Sequence, residues 1–112
     1  MKFALLLFDD ETFHDLSTSE HDKVMLAHQA FVDSLVEAGA MVGGEPLDRS
    51  SNAVTRFVDG RVQDGPFVDS KEQLGGFYLI DVPSKEAALS WAAKVPLASG
   101  AVEVRPIPDY AE

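Results

Sequence analysis

The chain has 112 residues, and its length and 46% hydrophobic content fit one domain, which we assign to residues 1–112. Acidic residues number 19 against 9 lysines and arginines, so the net charge is -10. The field of such a chain repels phosphate, which argues against nucleic acids and anionic membranes as main partners. The absence of cysteine excludes disulfides, thiolate catalysis and cysteine-ligated metals.

The first segment is continuously apolar from Phe3 to Phe8, which predicts a strand that is buried on both faces. This run is too short to span a bilayer, and no cleavage site of small residues follows it. We therefore expect a soluble, cytoplasmic protein with no membrane partner.

A polar loop precedes the first helix. Ser17 and Glu20 have the spacing of a capping box, which predicts a helix that runs to about Ala38. Gly39 is the expected residue just beyond its end. One narrow stripe of this helix is predicted to face the sheet, and it consists of Val24, His28, Phe31 and Leu35.

The middle of the chain predicts three further strands. Met41 to Leu47 is the first, with a bulge expected at Gly43-Gly44. Val54 to Val58 and Arg61 to Gln63 are the others, and Asp59-Gly60 between them is typical of a hairpin turn.

The next segment combines a turn, a short helix and the most apolar strand. Asp64-Gly65-Pro66 predicts a turn in which the Asp64 carboxylate accepts backbone N–H groups. Ser70 and Gln73 have capping-box spacing, which predicts a short helix that begins at Ser70. Phe77 to Val82 is the predicted strand.

The last third of the chain adds a helix and a strand. Ser84 is predicted to cap the helix, Pro96 to stop it, and Ala101 to Ile107 to form the strand. The resulting order predicts an α+β fold of the ferredoxin-like split β-α-β type, an antiparallel sheet with two helices on one face.

Two helices leave the second face of this sheet uncovered. Phe3 to Phe8 and Phe77 to Val82 are nevertheless apolar on both faces. A second copy of the chain is the simplest cover, so we predict a homodimer that packs sheet against sheet.

His28 is the most informative single residue, because an imidazole stands in its helical stripe where an apolar side chain is expected. Such a ring must find a hydrogen-bond partner or stay neutral. One interpretation is a hydrogen-bonded core histidine. The other is an acid–base or ligand-binding group that lines a pocket between helix and sheet.

Three histidines, His14, His21 and His28, recur every seven residues. Side chains seven apart on a helix are separated by ~10.5 Å along its axis, too far to share one ion. A metal site would need His28 together with carboxylates from elsewhere, such as Glu45 or Asp64, and we expect none. The sequence also has no Walker loop and no Rossmann fingerprint, so we expect no cofactor.

Carboxylates cluster around the predicted turn. If two of Asp64, Asp69 and Glu72 converge in a pocket, one of them can be held protonated as a general acid. The alternative is that they cap local N–H groups or pair with Lys71. The side chains that we single out as candidates for substrate binding are Phe8, Glu45, Phe67, Lys71 and Glu72.

The chain resembles the YCII-related family, in particular its DGPF-domain branch. The resemblance is carried by the Asp-Gly-Pro-Phe of residues 64–67, the Phe-Tyr-Leu-Ile of residues 77–80 and the Trp-Ala-Ala of residues 91–93. Asp69 stands where the branch usually has Glu. The resemblance implies a dimeric α+β barrel, in which two sheets pack face to face.

The resemblance also implies a site. Members of the family carry a helical His eleven residues before the Gly at the helix end, paired with an Asp as an active site, and His28 and Gly39 keep this spacing. Asp64 and Asp69 are the nearest partners by motif. The implied activity is lyase, isomerase or dehalogenase chemistry on a small organic substrate. The alternatives are a non-catalytic ligand-binding or sigma-factor-associated accessory protein, and a dimeric scaffold without a pocket.

Overall fold

The computed structural model describes residues 1–110. Within them, two helices and six strands follow one another as β1 (Lys2–Asp9), α1 (Thr18–Glu37), β2 (Met41–Pro46), β3 (Val54–Arg56), β4 (Val62–Asp64), β5 (Gln73–Asp81), α2 (Lys85–Ala92) and β6 (Ala101–Ile107). Two short 3-10 helices, Thr12–Asp15 and Ser50–Asn52, lie in the connections.

Four of the strands form one antiparallel sheet in the order β2-β5-β1-β6. The strands that flank each helix are not neighbours in this sheet, which is the split β-α-β arrangement. The remaining strands, β3 and β4, pair with each other in a separate hairpin. The predicted α+β fold is therefore confirmed.

The helices begin where the sequence predicts. The Ser17 hydroxyl accepts a hydrogen bond from the backbone N–H of Glu20 at 3.3 Å and donates to its carboxylate at 3.1 Å. The Ser84 hydroxyl accepts from the N–H of Ala87 at 3.1 Å. Each cap satisfies an N–H group that the first helical turn leaves without a partner. Gly39 follows the end of α1 with a φ of 71°, as expected for this position.

The main sheet has one covered and one uncovered face. Side chains alternate along β1, so that Phe3, Leu5 and Leu7 are buried against the helices together with Phe31 and Leu35 of α1. The residues between them point to the other side and are partly exposed. We call this second side the open face, and the apolar residues that it carries on β1 and β5 include Ala4, Leu6, Phe8, Phe77 and Leu79.

The prediction of a short helix that begins at Ser70 is wrong. The Gln73 side chain does not cap a helix; its amide donates hydrogen bonds to the carbonyl oxygens of Val68 at 2.8 Å and Ser70 at 2.9 Å. The Ser70 hydroxyl donates to the carbonyl oxygen of Glu72 at 2.6 Å. These bonds stabilise an irregular loop, and Gln73 already belongs to β5, opposite Asp9 of β1.

The predicted turn at Asp64 is present, but a different group forms it. Gly65 has a φ of 99°, and its N–H donates to the carbonyl oxygen of Ala53 at 2.7 Å. The Thr55 hydroxyl donates to the Gly65 carbonyl oxygen at 2.8 Å. Because these bonds satisfy the turn, the Asp64 carboxylate accepts none from residues 1–110, and the expectation that it holds N–H groups is wrong.

Candidate functional site

The candidate site lies between α1 and the covered face of the main sheet. His28 is partly buried there, one turn before the buried Phe31. Its Nδ1 lies 2.6 Å from the hydroxyl oxygen of Tyr78 on β5, a short hydrogen bond between side chains of different elements. The two rings are nearly parallel, with an interplanar angle of 20°.

The surroundings of His28 favour its neutral form. Burial lowers the pKa of the ring below its usual value of 6.5, because the charged form loses hydration. The carbonyl group of Pro96 and the carboxylate of Asp9 act in the opposite direction and favour the charged form. Burial is the larger effect, so the ring is uncharged at neutral pH and a negative charge stands near it.

Asp9 is the carboxylate that acts on His28. It is the last residue of β1 and alternates with Phe3, Leu5 and Leu7, which places it on the helix side of the sheet. Its Oδ1 accepts the backbone N–H of Glu11 at 2.9 Å, which fixes the carboxyl group at the strand end. Gly75 of β5 lies alongside with no side chain of its own to cover the carboxylate.

Tyr78 lies in the middle of β5 and is only 9% exposed. Burial raises the pKa of its hydroxyl, so the phenol keeps its proton. Its ring meets that of Phe31 edge-on, with centroids 5.0 Å apart. On the sheet side a side chain at Gly44 would have no room, because a Cβ there would lie 2.9 Å from the tyrosine Cδ1.

The acidic residues that the sequence motif singles out lie elsewhere. Asp64 ends β4, opposite Val54 in the separate hairpin, and both Asp64 and Asp69 are exposed. The structure does not bring either to His28. The carboxylate that acts on His28 is Asp9 instead. Sequence reasoning missed it because its setting, the end of an apolar strand, is common.

The candidate substrate-binding residues do not assemble around His28 either. Phe8 belongs to the open face, and Glu45 pairs with Phe77 on that same side. Phe67 is 71% exposed, and Lys71 and Glu72 are exposed in the loop before β5.

Lys71 does reach the end of β1. The pKa of the neighbouring Asp10 is lowered mainly by the backbone N–H of Thr12 and to a smaller extent by the charge of Lys71. The positive charge of Lys71 therefore lies near the end of β1, where Asp9 is located.

Among the surface depressions of residues 1–110, two clefts have a measured lining, and His28 belongs to neither lining. The larger, of about 460 Å³, lies between the end of α2 and the start of β6 and is lined mainly by small apolar residues, among them Ala92, Leu97 and Gly100. The smaller, of about 330 Å³, lies beside Pro66 and Leu74 and includes Arg49.

Two further properties bear on function. No group of three or more potential metal ligands is brought together among residues 1–110. Within the same residues, neither helix combines the length and the apolar character that a bilayer crossing requires.

Comparisons with known proteins place the chain in a family. A model of the YCII-related domain matches residues 1–111. An uncharacterized protein of Rhizobium meliloti (strain 1021) is 38% identical over 117 aligned positions, which cover 98% of this chain and 94% of that protein. With a family model that spans nearly its whole length and a relative of this identity, the chain belongs to the YCII-related family.

Proposed function

We propose that the protein is an enzyme that moves protons on a small organic molecule carrying a carbonyl group, with His28 and Asp9 as its acid–base pair. The observation that supports this proposal is the arrangement around His28. A partly buried imidazole is held by a 2.6 Å hydrogen bond to Tyr78, and the charge of Asp9 acts on the ring. Groups with perturbed titration concentrate at functional sites.

The two groups suit this chemistry. Removal of a proton next to a carbonyl requires a base for the carbon-bound proton and a donor for the negative charge that develops on oxygen. A carboxylate can act as the base. A neutral imidazole can act as the donor or exchange protons itself, and His28 is neutral because burial lowers its pKa.

The substrate class follows from the reactions that the family resemblance implies. Isomerisation and elimination at carbon both begin with the loss of a carbon-bound proton, which an adjacent carbonyl group makes more acidic. Small ketones, keto acids and lactones are therefore the compounds that fit the proposed pair.

We also propose that two copies of the chain form a homodimer through their open faces. Leu6, Phe8, Phe77 and Leu79 leave apolar surface on this side of the sheet. The molecule is a plate of 44 × 41 × 18 Å, and its radius of gyration of 15.5 Å exceeds the value of about 13 Å typical of a compact domain of this length. A second plate on the open face supplies the layer that a single chain lacks.

The alternative function is non-catalytic ligand binding, including a role as a sigma-factor accessory protein. One observation favours it. The two clefts described above lie away from His28, and the larger of them is lined by residues such as Leu89 and Val102, which have no acid–base chemistry.

Proton exchange with solvent separates these functions without knowledge of the natural substrate. The protein is incubated in D₂O with a panel of small ketones, keto acids and lactones, and NMR follows the loss of signal from protons next to each carbonyl. We expect accelerated exchange in at least one compound. Asp9→Asn and His28→Gln should each slow it by ~100-fold or more.

Two matched variants serve as controls. Asp10→Asn removes a neighbouring carboxylate that does not act on His28, and His21→Gln removes an imidazole that stacks on Phe13 instead. Both should keep the exchange rate. Absence of exchange throughout the panel, or equal losses in the controls, would overturn the proposal.

A further inference from the structure

We propose that Tyr78 is a positioning residue that holds His28 with its proton on Nε2, so that the imidazole serves as the hydrogen-bond donor and Asp9 serves as the base. The assignment of roles rests on the proposed function. The hydrogen bond between Tyr78 and His28 does not, and it can be tested without a substrate.

The direction of that hydrogen bond follows from counting protons. A tyrosine hydroxyl carries one hydrogen, and a partly buried hydroxyl that fails to donate it loses free energy. Within residues 1–110 the polar atom in hydrogen-bond contact with this hydroxyl is Nδ1 of His28, at 2.6 Å. The hydroxyl therefore donates to Nδ1, and a nitrogen that accepts a hydrogen bond cannot carry a proton.

The neutral ring then has its single proton on Nε2. Burial supports this state, because it lowers the pKa of His28 and raises that of Tyr78, and both shifts keep the proton on the phenol. The carbonyl group of Pro96 lies near the ring and offers an acceptor for an imidazole N–H.

The packing around Tyr78 fixes where its hydroxyl points. Phe31 contacts one side of the ring edge-on. On the β2 side, a Cβ at Gly44 would lie 2.7 Å from the Phe77 carbonyl oxygen and 2.9 Å from Cδ1 of Tyr78. The glycine thus lets the tyrosine ring lie directly against the backbone of β2, where it has little freedom to turn.

The position of the imidazole proton gives Asp9 and His28 separate roles in the proposed reaction. Asp9 removes the proton from the substrate carbon, and the electrons of the C–H bond form a carbon–carbon double bond as the carbonyl oxygen becomes negative. The substrate oxygen replaces the Pro96 carbonyl group as the acceptor of the single imidazole N–H. In an isomerisation the proton on Asp9 then returns at another carbon. In an elimination a leaving group departs with its electron pair, the C=O bond re-forms, and Asp9 releases its proton to water.

The test is NMR of the protein labelled with ¹⁵N in its histidines, recorded above pH ~7, where His28 is neutral. In the parent we expect the Nδ1 resonance of His28 at the position of an unprotonated, hydrogen-bonded nitrogen, with the proton on Nε2. A proton on Nδ1 of the parent would overturn the inference before any variant is made.

The variants give a second readout. In Tyr78→Phe, the Nδ1 resonance should move to the position of a nitrogen without a donor, and relaxation should show a more mobile ring. Tyr110→Phe is the matched control, since Tyr110 is 90% exposed and its hydroxyl should leave His28 unchanged. An unchanged Nδ1 resonance and ring mobility in Tyr78→Phe would also overturn the inference.

The outcomes separate this inference from the proposed function. If no carbonyl compound exchanges protons but the Nδ1 resonance responds to Tyr78→Phe, the proposed function fails and the hydrogen bond stands. If exchange occurs and depends on Asp9 while Nδ1 carries the proton, the proposed function stands and the role given to Tyr78 fails.

Discussion

The environment of His28 couples its titration to the stability of the fold. Because burial places its folded pKa below 6.5, the unfolded chain binds this proton first as the pH falls. The contribution of His28 is fully present above pH ~6.5 and is lost as the pH falls through the folded pKa. We expect the free energy of unfolding to drop between about pH 7.5 and about pH 5.5 by more in the parent than in His28→Gln. Denaturant unfolding of both proteins at both pH values measures this change in free energy. Equal drops in the parent and in His28→Gln would show that the pKa of His28 is not lowered.

A double-mutant cycle should detect the hydrogen bond between His28 and Tyr78 as a non-additive change in the free energy of unfolding. His28→Phe leaves the tyrosine hydroxyl without its acceptor, and we expect it to cost about 1–3 kcal/mol of unfolding free energy. Once Tyr78→Phe has removed the hydroxyl, the same change at position 28 should cost less, because no polar group is left unpaired. Thermal and denaturant unfolding of both single variants and the double variant complete the cycle. Additive losses would mean that the two side chains do not interact.

At the level of elements, the same capping-box spacing leads to a helix at Ser17 and to an irregular loop at Ser70. Ser17 begins a helix because an apolar stripe follows it and packs on the sheet. Ser70 has a partner three residues on, but Gly75 and Gly76 follow at once, and glycine costs about 1 kcal/mol in a helix interior. The segment instead joins the sheet, where the backbone of β5 finds partners on both sides.

The difference between local and long-range structure explains which parts of the site could be predicted from the sequence. His28 could be found from sequence because a polar ring interrupts a helical stripe. Its partners could not, since Asp9 and Tyr78 come from strands whose register against α1 depends on long-range packing. Alternation along β1 does place Asp9 on the side of Phe3, Leu5 and Leu7, which is the signal that could have pointed to it.

The turn between β4 and β5 gives a prediction that separates backbone from side-chain effects. Asp64→Asn should change the free energy of unfolding by less than about 0.5 kcal/mol, because its carboxylate accepts no hydrogen bond from residues 1–110. Gly65→Ala should cost about 1–3 kcal/mol, because residue 65 has a φ of 99°. Denaturant unfolding compares them, and a larger loss from Asp64→Asn would assign the turn to the carboxylate.

For the whole molecule, the proposed dimer predicts the effect of a charge on the open face. Leu79 lies on this face between Ala4 of β1 and Gly43 of β2. In a single chain an aspartate at this position would remain in contact with water and cost little. In a dimer it would be buried without a partner, which is costly.

We therefore expect the parent to sediment at twice the chain mass at micromolar concentration, and Leu79→Asp to sediment as a monomer that keeps its secondary structure. Leu26→Asp is the control, because Leu26 is 70% exposed on α1, away from the open face, and the same change there should leave the dimer intact. A monomeric parent, or a Leu79→Asp variant that still forms the dimer, would show that the open face is not the interface. The plate would then have to expose Phe8, Phe77 and Leu79 to water, or cover them with a different protein.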